Sequence, residues 1–278
     1  MRVQQSTFRF GFGGGLTPVV RNLLIANGVV WVAQLFTMNF LVEHFALNPL
    51  HIIEEFKFWQ LITYMFLHGG FFHLFFNMFA LWMFGTEVER VLGSSDFLKY
   101  YMFTGIGGGM FQLIMNWGSP IPILGASAAI YGILVAFAVL FPNRVVTLLL
   151  FFVLPVQLKA KTLALIFVGI SLILGIQSQL LGSVDMVAHF AHLGGAMVGF
   201  FLLRGRYYSQ RAVQRISEMQ EQRRQNLERQ KRDRINRKRK EIDEILDRIN
   251  EVGYDNISPE EREFLKKASE YLSKEDDM

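Results

Sequence analysis

Before residue 204 the apolar positions come in long, nearly unbroken blocks; after it they thin to isolated positions at helical spacing. A helix needs about 20 apolar residues to cross a bilayer's hydrocarbon core. The blocks predict six spans, at about 17–45, 59–84, 97–117, 127–141, 162–181 and 187–203. The stretch 145–156 is apolar but too short to span, and Pro155 interrupts it. It is expected to lie at the interface or against the bundle. The fold class expected is all-α, a polytopic six-helix transmembrane bundle with a helical cytoplasmic tail.

The fourth span is the odd one. Its fifteen residues, 127–141, rise only about 22 Å against a core of about 30 Å. The helix should therefore begin inside the membrane, with 118–125 dipping down to meet it. Irregular backbone at that depth is tolerated only where protein or a water-filled cavity satisfies it. Ser127 stands at that buried start.

Beyond residue 203 the pattern changes to charge. Residues 1–203 carry nine Lys or Arg and seven Asp or Glu, and residues 204–278 carry 19 and 17. The tail divides again: 204–240 holds 14 basic and 4 acidic residues, and 241–278 holds 5 and 13. Three regions follow: a membrane domain at 1–203, a basic helical stalk at 204–240 and a small acidic helical hairpin at 241–278. In the last, Ile242, Ile245, Leu246 and Ile249 form an apolar stripe. Gly253 ends that helix, and Ser258-Pro259-Glu260-Glu261 reads as a capping box for the next, whose apolar face is Phe264, Leu265 and Ala268.

Basic residues fix an orientation. Arg2, Arg9 and Arg21 flank the first span, Arg90, Arg144, Lys159 and Lys161 fall in the second and fourth loops, and Arg204 and Arg206 follow the sixth. The positive-inside rule puts all of them, and both termini, in the cytoplasm. The first span is expected to act as an uncleaved signal, since 1–15 lacks the apolar core of a cleavable one. The absence of cysteine excludes disulfides, thiolate zinc sites and cysteine catalysis. Internal repeats of the transporter kind are not visible, and no nucleic-acid partner is expected.

Polar side chains in the spans carry the candidate chemistry, because they are expensive there and by default mark function. They are His68, His73 and Asn77 in the second span, Ser127 and Tyr131 in the fourth, and His189 and His192 in the sixth. His73 and Asn77 share a helix face, as do Ser127 and Tyr131. Gly195 and Gly199 follow His192 at the GxxxG spacing that lets helices approach closely. Taken singly, Ser127 back-bonds to its own helix and the glycines only pack. Taken together, they supply a nucleophile, a base and oxyanion donors. At about 100° per residue, Gly199 and Gly195 lie nearer in phase to His192 than to His189. His192 should therefore face the fourth span, while His189 sits at the edge of that face in a water-facing role.

In these residues the chain resembles the rhomboid family of intramembrane serine proteases. The resemblance covers about 17–203. It rests on His68, His73 and Asn77, on Gly125-Ala126-Ser127 with Tyr131-Gly132, on Ala191-His192-Leu193-Gly194-Gly195 with Gly199, and on Glu89-Arg90-Val91-Leu92-Gly93-Ser94. It implies a bacterial-type enzyme of the inner membrane, with Ser127 as nucleophile and His192 as base. It further implies an oxyanion site of the Ser127 N–H, His73 and Asn77, with Tyr131 packed on His192. Transmembrane proteins would be the substrates, in contact with the lipid bilayer, and no cofactor is needed. Two positions depart from the family pattern. Ala128 replaces a glycine and is expected to crowd the site; Trp59-Gln60 replaces Trp-Arg and is expected to weaken a loop anchor. Two other readings stand beside this one: a catalytically inactive binder of membrane proteins, and a metal site at His68, His73, His189 and His192.

Overall fold

A computed structural model of the chain describes residues 15–150, 154–181, 188–253 and 257–265. It is helical almost throughout and forms two compact units, Met1–Tyr207 and Tyr208–Met278.

In the first unit, helix α1 runs Pro18–Phe45, with proline at its first position, where a missing N–H costs nothing. A short α2 (Pro49–Glu54) and α3 (Gln60–Thr63) follow. Next come α4 (Phe71–Ala80), a π-helical turn (Leu81–Gly85) and α5 (Thr86–Leu92), continuous over Phe71–Leu92. Then come α6 (Ser94–Met115) and α7 (Ser127–Leu140). Antiparallel strands β1 (Val145–Leu150) and β2 (Leu154–Lys159) precede α8 (Ala160–Leu181). Helix α9 is His189–Val252. Among the described residues three helices are long and apolar enough to cross a membrane, Pro18–Phe45, Phe71–Leu92 and Ala160–Leu181, and α7 is a shorter apolar helix.

The core gathers around α7. Ala129, Ile133 and Ala136 are fully enclosed there, with Phe97 and Tyr101 of α6. The outward faces are the opposite of a soluble protein's: Phe36, Leu165 and Leu180 are 82%, 72% and 80% exposed. An apolar surface of that extent belongs against lipid. One carboxylate ties the bundle's end together. Glu89 accepts the N–H groups of Val19 (3.0 Å) and Val20 (2.9 Å) at the start of α1 and the Ser94 hydroxyl (2.7 Å) at the start of α6.

The second span differs from its expected course. It does not begin at residue 59 but breaks at 67–70, and only Phe71–Leu92 is a continuous crossing. The broken segment is stabilised by a side chain standing in for backbone. Gln34 of α1 accepts the His68 N–H through Oε1 (2.9 Å) and donates its Nε2 to the His68 carbonyl (3.1 Å). His68 therefore lies before the span, not in it. The stretch after α7 also differs: it forms the β1–β2 hairpin, a pairing that the apolar run did not reveal.

The second unit shows the capping box. The Ser258 N–H donates to Glu261 (2.9 Å) and the Glu261 N–H to the Ser258 hydroxyl (3.2 Å), and Arg248 pairs with Glu261. The Ser258 N–H is the main cause that holds the Glu261 carboxyl below its usual range. Gly253, with φ of 87°, ends α9 in the left-handed conformation that glycine adopts readily. Ala268 lies outside the described residues.

Candidate active site

Helix α7 has fourteen residues, about 21 Å of rise, too short to cross the hydrocarbon core; Gly125 and Ala126 just before it are buried and Ser127 is half-buried. The loop that reaches it is held by protein at each step. Leu47 and Ile123 exchange both backbone hydrogen bonds at 2.9 Å, Asn48 donates to the Pro120 carbonyl (3.1 Å), and the Gly125 N–H donates to the Tyr64 carbonyl (2.9 Å). These partners supply what lipid cannot.

Ser127 opens α7, and its Oγ lies 2.7 Å from Nε2 of His192 on α9. The Tyr131 ring, one turn along α7, stacks on the imidazole with centroids 4.3 Å apart and planes 9° from parallel. On its far side the Tyr131 oxygen accepts the Ser171 hydroxyl of α8 (2.8 Å). Nδ1 of His192 is buried and makes no hydrogen bond among the described residues. Stacking therefore orients the ring, where a carboxylate does so in a triad.

Glycines bring the helices to this distance. A Cβ on Gly195 would stand 2.0 Å from the Ala128 carbonyl oxygen, and one on Gly199 3.0 Å from the Gly132 Cα. One on Gly108 of α6 would meet the Ala191 carbonyl at 2.5 Å and the Ala128 Cβ at 2.7 Å. The Ala128 methyl thus occupies room left by Gly108. Gly125 has φ of 132°, and a Cβ there would lie 2.7 Å from His73 Nε2 and 3.8 Å from Ser127 Oγ. His73 and Ser127 therefore converge on one small space that only glycine leaves open.

The remaining predicted residues are distributed around this pair. Asn77 is buried on α4 and donates its Nδ2 to the His73 carbonyl (2.9 Å) within its own helix. His68 is buried, with its ring edge-on to His73 at 5.2 Å. His189 is not water-facing. It is only 7% exposed and its Cβ lies 3.3 Å from the position a Gly175 Cβ would take, so α8 covers it. His189 and His192 are 6.1 Å apart by ring centroid. Among the described residues no three of His, Cys, Asp or Glu gather into a group that could hold a metal ion.

Three contributors escaped the sequence reading. Gln112 of α6 accepts the Ala191 N–H at the start of α9 (3.1 Å), Ser171 supports Tyr131, and Gln34 supports His68. Each is a polar residue in an apolar helix, the signal that singled out the histidines. The loop anchor also differs from expectation. Gln60 is fully buried, accepts the Asn48 N–H (3.0 Å) and donates to the His44 carbonyl (3.4 Å), so it holds the loop.

Apolar helices around a serine and histidine that meet at a buried helix start define an all-α polytopic membrane protein. The rhomboid domain matches residues 55–208, more than half of the chain, which therefore belongs to the rhomboid family. It is 38% identical over 169 residues to "Rhomboid protein 1, mitochondrial" of Saccharomyces cerevisiae, covering 59% of this chain and 44% of that one. It is 36% identical over 152 residues to "Rhomboid protease GluP" of Bacillus subtilis, covering 54% and 26%. With "RHOMBOID-like protein 5" of Arabidopsis thaliana it shares 30% over 185 residues, covering 66% and 52%. The matches thus span about half or less of these relatives' lengths.

Proposed function

We propose that this chain is an intramembrane serine endopeptidase that cleaves transmembrane segments of membrane proteins through an acyl-enzyme. The observation that carries the reading is the 2.7 Å contact between His192 Nε2 and Ser127 Oγ at the buried start of α7. As Ser127 Oγ attacks the peptide carbonyl carbon, His192 Nε2 takes the hydroxyl proton and passes it to the departing amine. The carbonyl oxygen gains the negative charge, and the Ser127 N–H, the His73 ring and the Asn77 amide are its donors. Water then attacks the acyl carbon, giving its proton to His192, and Ser127 regains it as the acid leaves. The convergence of His73 and Ser127 on Gly125 supports this oxyanion site.

In this reading six spans cross the membrane, a bacterial plasma membrane, with both termini in the cytoplasm, as the basic loops favour. The tail takes no part in the chemistry. Its basic stalk attracts the anionic inner leaflet, at about 1 kcal/mol per residue near the surface.

A fluorophosphonate probe tests the proposal on purified protein. Wild type should be labelled and Ser127→Ala should not, and a model transmembrane substrate should be cut only by the former. Labelling that survives Ser127→Ala, or folded wild-type protein that neither labels nor cuts, overturns it.

A further inference from the structure

The β1–β2 hairpin is a part of the first unit that the serine chemistry does not use. Its register pairs Val146 with Leu158 and Leu148 with Val156 on one face, and alternation adds Leu154 to that face. The face is apolar throughout, and among its described residues burial falls from the base outwards, with Val156 half-buried. Val146 is 7% exposed and Leu148 and Leu158 pack on the core, whereas Leu154, further out, is 58% exposed. The opposite face is polar towards the base, with Thr147 beside Gln157 and Val145 beside Lys159.

We propose that the outer part of this face is a lipid-contacting surface that lies in the headgroup region of the bilayer, at the membrane face where α7 ends and α8 begins. Three observations choose lipid over another occupant. First, β2 runs directly into Ala160–Leu181, itself apolar enough to cross a membrane, so the hairpin is covalently held at the level where that helix enters. Second, the three residues that join the strands in sequence, Phe151-Phe152-Val153, are all apolar. Third, Lys159 and Lys161 are exposed at the base, where cations meet anionic headgroups.

Backbone chemistry sets the depth. A two-stranded sheet leaves one edge of each strand unpaired, and lipid-exposed open edges do not occur in the hydrocarbon core. The backbone must therefore stay among headgroups and water, with only side chains such as Leu154 reaching the acyl boundary, about 5–10 Å deep for interfacial elements. The base is tethered at the same level. Arg144, just before β1, pairs with Glu87 at 2.5 Å, and its guanidinium lies 4.9 Å from the Phe141 ring centroid.

The absence of cysteine makes the test direct. Leu154→Cys and Gln157→Cys each offer one site for a nitroxide label on the full chain. The labelled proteins are reconstituted into phosphatidylcholine vesicles with and without phosphatidylglycerol. At position 154, collisions with dissolved oxygen should exceed those with a water-soluble nickel chelate; at 157 the order should reverse. Phosphatidylglycerol should deepen the label at 154, and Lys159→Gln with Lys161→Gln should abolish that deepening. A label at 154 that meets the chelate more often than oxygen overturns the proposal. So does one shielded from both, since protein or a second copy would then cover the face. Deepening that survives the double substitution overturns the headgroup role of the lysines.

Discussion

The ring of Tyr131 stacks on that of His192, with centroids 4.3 Å apart and planes 9° from parallel, while the Tyr131 oxygen takes its hydrogen bond from Ser171. The ring and the hydroxyl therefore act on different partners. Tyr131→Phe keeps the stack and should hold the cleavage rate within about threefold, since one neutral hydrogen bond is worth about 0.5–1.5 kcal/mol and acts here one residue removed from the imidazole. Tyr131→Ala removes an aromatic contact of about 0.5–1.5 kcal/mol and frees the imidazole to turn, so kcat should fall about tenfold or more. Equal losses in the two variants would show that the hydroxyl matters, not the ring.

The two histidines of α9 separate in the same assay. His192 alone makes the Ser127 contact; His189 is buried towards α8. His192→Ala should abolish measurable cleavage, as removal of a general base costs about 10²–10⁴. His189→Ala should retain a substantial part. The reverse pattern on a model transmembrane substrate would move the base to His189.

Asn77 spends one of its two amide N–H groups on the His73 carbonyl, which leaves the second for a substrate oxygen. Asn77→Ala should lower kcat by about 10² while thermal unfolding of the detergent-solubilised protein stays near wild type. A fall in unfolding temperature that parallels the loss of activity would make Asn77 a packing residue.

Gly195 is a positional requirement. A methyl there would press on the Ala128 carbonyl oxygen, a backbone atom that cannot rotate away. Gly195→Ala should cost about 1–3 kcal/mol by overpacking and, by moving α9 from α7, reduce cleavage more than it reduces stability. Gly169→Ala on α8 has nothing within 4 Å and is the control. Comparable behaviour of the two variants, by unfolding and by turnover, would refute the close-approach role.

Much of this protein was written locally in its sequence. The bilayer penalises polar groups within a span and demands a minimum apolar length. Block length alone therefore exposed the first and fifth spans, the short α7 and Ser127 at its start, but began the second span too early. Helical phase was also local, and it turned Gly195 and Gly199, with His192, towards α7. What the sequence could not show depended on partners far along the chain. The break at 67–70 persists because Gln34, a residue of α1, replaces its missing backbone bonds. His189 is buried because α8, reached through another part of the chain, covers it at Gly175. The β1–β2 hairpin hid in an apolar run because strand pairing is a relation between segments and leaves no helical period to read. The 2.7 Å between Ser127 and His192 was likewise set by three glycine-lined helix contacts closing together. Spacing marked the residues, but only close packing in three dimensions fixes a distance.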